Sequence, residues 1–357
     1  MKNSYRDAMD ALRFTPEQKA DMVEHLLSAP AAGKVVRPLR FRRFAAAGAA
    51  AALVLSLGVA GATGALDSAG EAFAGLFGGG AAETEIIDQI GYPIGASATS
   101  NGVTITADAI VGDTYSYAIV YSIQRDDGQP LLSDELLSSD NRLPLEFDSQ
   151  HTTQDNPQAF SDDGWGTGSG TSYFYDADPA DSAVQYVKIM THDNPIQPCD
   201  VTATFQNLYD TSEGHWDGAR KLLAAGPWKL EFHMAFEDSS VSLDAGQDFT
   251  LNGMSATLDA VILSPLSIVV EYTVHQELPP LGITAGGEST YASFVDLPIV
   301  ITYTDGSTLD AGGNSGMDSS NGCTLVQADM VFETLRPLDE VASVTVGDIV
   351  LPVSAGG

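Results

Sequence analysis

A β-hairpin motif occurs twice in this chain of 357 residues, and it constrains the fold more than any other feature. Residues 101–123, NGVTITADAIVGDTYSYAIVYSI, align without a gap to residues 252–274, NGMSATLDAVILSPLSIVVEYTV. Each copy reads as an Asn-Gly turn, a strand, a short turn and a second strand. Two such copies, 151 residues apart, predict two domains of related topology. The alternative is coincidence, since short alternating runs resemble one another.

Beyond residue 83 the chain consists of short alternating runs separated by Asp, Gly and Asn clusters. Runs at this spacing, with no helical pattern between them, favour antiparallel β-sandwiches of immunoglobulin type. We therefore predict a mainly β protein, with a first immunoglobulin-like domain at residues 84–237 and a second at 238–357. The first domain contains a long polar insertion, residues 125–183, which is predicted to be a surface loop.

An uncharged segment, residues 44–66, reads FAAAGAAAALVLSLGVAGATGAL. As a helix it would be about 34 Å long, which is enough to cross a bilayer. Basic residues precede it and none follows until Arg125, so residues 1–43 are predicted to be cytoplasmic and the β region extracellular. A cleaved signal peptide and a buried Ala-rich helix are less favoured, because the leader is long and no polar face is present. The flanking basic residues are Lys34, Arg37, Arg40, Arg42 and Arg43.

The first 43 residues predict a stub of two short amphipathic helices, and residues 67–83 predict a Gly-rich spacer after the apolar segment. A stub of this length cannot build an independent core. Unpartnered amphipathic helices commonly dock in a groove of another protein. The apolar side chains predicted to contact such a partner are Tyr5, Met9, Leu12, Val23, Leu26 and Leu27.

The net charge is −32, and residues 67–357 contain 43 acidic but only seven basic residues. A chain this acidic repels phosphate, so we predict that it does not bind nucleic acid. Phosphate-binding, dinucleotide-binding and nucleophile-elbow motifs are absent from the sequence, and its six histidines lack the spacing of metal ligands. We predict no enzymatic activity, no cofactor and no metal.

A short acidic run and the two cysteines are further candidates for a metal site and a disulfide. The run Asp176-Ala-Asp178-Pro-Ala-Asp181 could offer oxygen ligands to calcium, but it lacks the glycine and the bidentate glutamate of a calcium loop. Solvated acidic surface is the favoured interpretation. Cys199 and Cys323 fall in different predicted domains, so both are predicted to be free thiols.

The order of these parts resembles that of bacterial anti-sigma-factor-like membrane proteins. The resemblance covers nearly the whole chain and implies that the stub holds an extracytoplasmic-function sigma factor. It also implies that the β-rich ectodomain, a domain of unknown function, senses or transmits an envelope signal. The zinc motif His-x-x-x-Cys-x-x-Cys of the better-known anti-sigma domains is missing, since His25 stands alone. The matching segments are Tyr5-Arg-Asp-Ala-Met-Asp-Ala-Leu12, Thr15-Pro-Glu, residues 101–123, residues 166–175, Gly226-Pro-Trp-Lys-Leu-Glu-Phe232 and residues 252–274.

The leading hypothesis is thus a membrane-anchored regulator of anti-sigma-factor type. An anchored extracellular binding or adhesion module, whose stub is only a topogenic leader, is the alternative. An extracellular enzyme is disfavoured by the motif search. The ligand of the β region is not predicted by the sequence.

Overall fold

The computed structural model describes the β region of the chain and a few residues before it. The described residues are 73, 76, 77, 86, 87, 90–132, 142–155, 168–177, 182–215, 218–278 and 297–353. All of them belong to one compact unit, Ala51–Gly357. Their sheets fall into an N-terminal half, residues 91–234, and a C-terminal half, residues 241–353.

The N-terminal half contains two antiparallel sheets. Its strands are β1 (Gly91–Ser100), β2 (Val103–Gly112), β3 (Ser116–Arg125), β4 (Arg142–Leu143), β5 (Leu145–Gln154), β6 (Ser169–Tyr175), β7 (Val184–Thr191), β8 (Cys199–Asp210), β9 (Lys221–Ala224) and β10 (Trp228–Met234). The larger sheet has the order β1-β2-β3-β7-β6-β4. The smaller has the order β10-β8-β5, and β9 also pairs with β8.

The C-terminal half also contains two antiparallel sheets. Its strands are β11 (Val241–Ser242), β12 (Asp248–Leu251), β13 (Met254–Leu263), β14 (Ser267–Val274), β15 (Ile299–Tyr303), β16 (Thr308–Asp310), β17 (Asn314–Ser320), β18 (Cys323–Val331), β19 (Val341–Val346) and β20 (Ile349–Pro352). The orders are β11-β13-β14-β18-β17, with β12 on β13, and β16-β15-β19-β20. A 3-10 turn, Leu338–Glu340, precedes β19.

The two halves share one strand topology. The order β2-β3-β7-β6 in the N-terminal half returns as β13-β14-β18-β17 in the C-terminal half. The smaller sheets correspond as well, since β5-β8-β10 matches β15-β19-β20. The hairpin repeat is therefore the part of a larger structural repeat that is still visible in the sequence.

The two repeat hairpins agree in backbone detail at their Asn-Gly turns. Asn101 and Gly102 have φ values of 49° and 78°, and Asn252 and Gly253 have φ values of 49° and 84°. Two consecutive left-handed residues are what a type I′ turn requires, and Asn-Gly is its favoured sequence. The turn chemistry thus explains why both hairpins form at these positions.

A β-bulge interrupts both hairpins at the same point, where the bulged residues are Asp108 in β2 and Asp259 in β13. Each aspartate accepts a hydrogen bond from the neighbouring strand. Ser122 Oγ donates to Asp108 Oδ2 at 2.5 Å, and Thr273 Oγ1 donates to Asp259 Oδ2 at 2.7 Å. Bulges of this kind increase the local twist of a hairpin and re-aim its side chains.

The prediction of a mainly antiparallel β protein is confirmed, but the immunoglobulin topology is wrong. In an immunoglobulin sandwich the second and third strands belong to opposite sheets. Here β2 pairs with β3, and β13 pairs with β14. The reason is the short connection after β2, where the Asp113 N–H donates to the Ser116 carbonyl at 2.8 Å and turns the chain back beside β2.

Each half buries a core of its own between its two sheets. The largest buried side chain of the N-terminal core is Trp228, whose Nε1 donates to the Val103 carbonyl at 2.8 Å. Tyr121 of β3 packs edge-on against Phe205, with 5.2 Å between ring centroids. In the C-terminal core the equivalent tyrosine, Tyr272, is fully buried. Burial of a large apolar side chain is worth about 1.5–3 kcal/mol, so these cores account for the stability of both halves.

A third apolar cluster covers the outer face of the larger N-terminal sheet. Phe73 and Phe77, which fall in the predicted spacer, are helical and fully buried there. Leu266 and Leu335 of the C-terminal half belong to the same cluster. This cluster therefore joins the two halves.

The predicted membrane anchor requires correction. Among the described residues no helix is long and apolar enough to cross a membrane. The predicted helical stub, residues 1–43, and the predicted transmembrane helix, residues 44–66, lie outside those residues. The segment consists mostly of Ala and Gly, which contribute little apolar surface per residue, so its lack of charge was a weak basis for a span. The single-pass topology and the extracellular location are withdrawn with it.

The prediction of two free thiols is confirmed. Cys199 is buried at the start of β8, and Cys323 is half-buried at the start of β18. Burial raises the pKa of the Cys199 thiol to about 11, with smaller contributions from Asp200 and Asp155. At neutral pH Cys199 is therefore protonated and a poor nucleophile.

Candidate functional site

Two equivalent turns meet where the halves touch, and we call residues 113–116 and 264–267 the junction turns. In the first, Asp113 Oδ1 accepts hydrogen bonds from the backbone N–H groups two and three residues later, at 2.9 and 2.7 Å. In the second, Ser264 Oγ accepts the equivalent pair at 2.9 and 2.8 Å. Asp and Ser are both suited to capping such a turn.

The junction turns are joined by the second oxygen of Asp113. Asp113 Oδ2 accepts hydrogen bonds from Ser264 Oγ and Ser267 Oγ, each at 2.6 Å. The three residues are only 2–3% exposed. Burial raises the pKa of Asp113, and hydrogen bonds from Ser264, Ser267 and the backbone oppose that rise. The contact is therefore a buried polar link whose removal would leave donors unsatisfied.

A second carboxylate joins the two halves, and this one belongs to the C-terminal half. Asp329 of β18 accepts hydrogen bonds from the side chains of Ser169 and Thr191 in the N-terminal half. Burial raises the pKa of Asp329 to about 6, the negative charge of Asp193 adds to the rise, and the two hydrogen bonds oppose it. Each half thus supplies an aspartate that hydroxyl groups of the other half hold.

Beside Asp329 the two halves enclose a cleft of about 810 Å³, which we call the inter-repeat cleft. Its volume lies in the range of small-ligand sites. Strands β6 and β7 form one wall, and the end of β18 with the residues after it forms the other. The lining of the cleft includes Leu76, Arg142, Tyr173, Ile189, Met330 and Glu333.

Opposite charges line the two walls of the inter-repeat cleft. The Arg142 guanidinium lies 4.3 Å from the centre of the Tyr173 ring, a cation–π contact. Glu333 lies on the other wall and is exposed. Burial raises the pKa of the Tyr173 hydroxyl, Arg142 lowers it and Glu333 raises it, so both charges act on one hydroxyl.

Arg142 differs from most other basic residues of the β region. Arg125, Arg220, Lys229 and Arg336 each pair with a carboxylate. Within the described part of the chain, Arg142 pairs with neither Glu333 nor any other carboxylate. Its forked donors are therefore available to a bidentate acceptor such as a ligand carboxylate.

Among the described residues, the buried histidine and the junction aspartates contact other groups of the protein. No group of three His, Cys, Asp or Glu side chains comes together as a metal site among them. The buried His192 packs against Tyr117, with ring centroids 5.7 Å apart. The aspartates of the junction are engaged by hydrogen bonds within the protein.

The sequence-predicted partner residues all precede residue 73, the first residue that the structure describes. Tyr5, Met9, Leu12, Val23, Leu26 and Leu27 lie outside the described residues, as do the basic residues Lys34, Arg37, Arg40, Arg42 and Arg43. Much of the Asp176–Asp181 calcium candidate lies outside them as well. The junction aspartates and the inter-repeat cleft were missed. The available signal was the alignment of Asp113 with Ser264, which marks a charge change between the two copies.

Comparison with known proteins adds little. No family model and no curated protein matches the chain. A solved structure, described as a conserved domain protein from Bacillus anthracis, is similar at 15% identity with a TM-score of 0.45. The match covers 71% of this chain and 75% of that one.

Proposed function

We propose that this protein is a ligand-sensing regulator of anti-sigma-factor type and not an enzyme. In this proposal the β region binds a ligand in the inter-repeat cleft, and residues 1–43 bind an extracytoplasmic-function sigma factor. The observation that carries the proposal is the cleft itself, because its two walls come from different halves. A ligand that touches both walls favours the arrangement of the halves that it fits best.

The chemistry of the cleft supports binding over catalysis. Asp329 is held by Ser169 and Thr191, so its carboxylate is engaged in joining the halves. Arg142 is positioned by a ring and offers recognition of an anion. The lining of the cleft combines polar and apolar side chains, as the lining of ligand sites does.

The sigma-factor part of the proposal rests on the resemblance and on the amphipathic pattern of residues 1–43. A ligand-binding module without a sigma-factor partner is the alternative, because the cleft would serve it equally well. The two differ in what Leu26 and Leu27 do. In the regulator they are buried anchors in a partner groove, and in the binding module they have no partner.

The test is capture of a sigma factor by the full chain. We expect the purified protein to retain an extracytoplasmic-function sigma factor of its own organism, and Leu26→Ala with Leu27→Ala to weaken capture at least tenfold. The matched control is Leu222→Ala with Val350→Ala, two exposed apolar residues of the β region, which should leave capture unchanged. Equal capture by the Leu26/Leu27 variant, or no capture by the native chain, would refute the regulator.

A further inference from the structure

The inter-repeat cleft carries two opposite charges, Arg142 and Glu333, that do not pair with each other, while its second carboxylate, Asp329, is engaged by hydroxyl groups. Arg142 comes from β4 of the N-terminal half, and Glu333 follows β18 of the C-terminal half. Both lie close enough to the Tyr173 hydroxyl to influence it, in opposite senses. No ion pair joins them among the described residues. The space between the two charges is therefore open to a ligand.

Part of the cleft lining is apolar. Leu76 and Ile189 line it from the side of the N-terminal sheet, and Met330 lines it from β18. Methionine is flexible and adapts to ligands of different shape. A ligand with apolar side chains can therefore contact these residues, and the polar part of the lining can receive its backbone groups.

The net charge of the molecule narrows the ligand class. Residues 67–357 contain 43 acidic and seven basic residues, so a simple anion is repelled on approach. A simple cation would meet the Arg142 guanidinium inside the cleft. A dipolar ligand with no net charge avoids both of these repulsions, and it can place its negative end beside Arg142 and its positive end beside Glu333.

We propose that the inter-repeat cleft binds a short apolar peptide with free termini, its carboxylate on Arg142 and its ammonium group on Glu333. The contacts follow the ordinary geometry of such groups. Two guanidinium N–H groups donate to the carboxylate in parallel, and the ammonium group donates to the glutamate oxygens. The peptide then bridges the two halves. This inference deepens the proposed function and rests on it, because it names the ligand that the β region would sense.

The test uses the full chain and compares free peptides with end-blocked ones. Leucine, leucyl-leucine and leucyl-alanyl-leucine place the two charged ends of the ligand at three increasing separations. Binding is measured by calorimetry and by the shift in melting temperature. We expect at least one free peptide to bind and its N-acetyl and C-amide forms each to bind at least tenfold more weakly.

Variants assign each end of the peptide. Arg142→Gln should remove the preference for a free carboxylate, and Glu333→Gln should remove the preference for a free amine. The matched controls are Arg125→Gln and Glu231→Gln, exposed ion-pair residues outside the cleft, which should retain both preferences.

Equal binding of free and blocked peptides would overturn the inference, and so would the absence of binding by every free peptide. Neither result affects capture of the sigma factor, so the proposed regulator would stand with a different ligand. Conversely, peptide binding with no sigma-factor capture would leave this inference intact and point to the binding module.

Discussion

The two junction turns occupy equivalent places in two copies of one hairpin, yet an aspartate caps one and a serine caps the other. Asp113 and Ser264 cap their own turns in the same way. Asp113 has a second oxygen left over, and Ser264 has a hydroxyl proton to give, so the two turns are complementary to each other. Two aspartates would repel at this contact, and two serines would leave it uncharged. A single residue difference between two otherwise equivalent turns therefore allows one turn to donate a hydrogen bond and the other to accept it.

The bulges give the opposite comparison, with the same residue in two settings. Asp108 is largely buried near Tyr175, which belongs to the cluster over the larger N-terminal sheet. Asp259, in the same place on β13, is exposed. Burial raises the pKa of Asp108 to about 6, while the hydrogen bonds from Ser122 oppose the rise. Equal backbone geometry therefore does not give equal electrostatics, because the covering layer differs.

The largest expected effect comes from removing the carboxyl group of Asp113, which joins the two junction turns. Asp113→Ala leaves two hydroxyl and two backbone N–H donors without their acceptor in a buried place. We expect the free energy of unfolding to fall by about 3–5 kcal/mol in urea titrations. Ser264→Ala, which leaves Asp113 its bond from Ser267, should cost about 1–2 kcal/mol. Similar losses for both variants would show that the two turns contribute alike.

An intermediate effect is expected at the bulges and depends on pH. The pKa of Asp108 is about 6 in the folded protein, against 3.8 for an ordinary aspartate. Its neutral form is favoured on folding, so the stability it confers is complete below pH 4 and is lost as the pH rises through 6. Asp108→Asn should remove the contribution of this group to the fall in unfolding free energy between pH 4 and 7, while that of Asp329 remains, and should raise the unfolding free energy by about 2 kcal/mol at pH 7.

Asp259→Asn is the matched control for that experiment, since it makes the same change on the exposed bulge. It should alter the unfolding free energy by less than about 0.5 kcal/mol at any pH in this range. Equal responses from the two variants would mean that the covering layer does not distinguish the bulges.

The smallest effect is expected at the two Asn-Gly turns, where the halves should respond alike. Gly102 and Gly253 have positive φ, and a Cβ atom at either would meet nothing within 4 Å. Gly102→Ala and Gly253→Ala should therefore each cost about 1 kcal/mol, from backbone strain alone. Gly316→Ala is the control, because that glycine has free space and no positive φ. A cost at only one turn, measured by thermal unfolding, would break the equivalence of the hairpins.

The fold was predictable from sequence where its determinants are local. The Asn-Gly turns and the alternation after them predicted β2, β3, β13 and β14. The Asp305-Gly306 turn was also predictable, because Asp-Gly is a favoured hairpin sequence. In the structure the Gly306 N–H donates to the Tyr303 carbonyl at 3.0 Å and closes this hairpin. These signals lie within a few residues of the structure that they cause.

The polar stretch 125–183 was not predictable as strand. It was expected to be a surface loop, but it contains β4, β5 and β6. β5 reads LEFDSQHTTQ, and only two of its ten residues are buried, so its hydrophobic pattern is weak. Its pairing with β8 along nine residue pairs, from Leu145 to Gln154, holds it as a strand. Partners 47 to 65 residues away leave no mark in the local sequence.

The candidate site was harder still, because its parts meet only in three dimensions. Arg142 and Tyr173 come from different strands, and Glu333 comes from the other half. The alignment placed Asp113 opposite Ser264 but carried no information that equivalent turns touch. Only the packing of the two halves brings these residues together.

The bond from Trp228 to Val103 has a consequence for the order in which the chain folds. It joins residues 125 positions apart and closes the N-terminal core. Synthesis proceeds at about 5–20 residues per second, so about 6–25 s separate the appearance of the two partners on the ribosome. During that interval the second sheet, which β5, β8 and β10 form, is incomplete over the apolar face of the hairpin of β2 and β3. Non-local closure of this kind slows folding and prolongs the exposure of aggregation-prone strands, so the nascent N-terminal half is the stage at which a chaperone would be needed most.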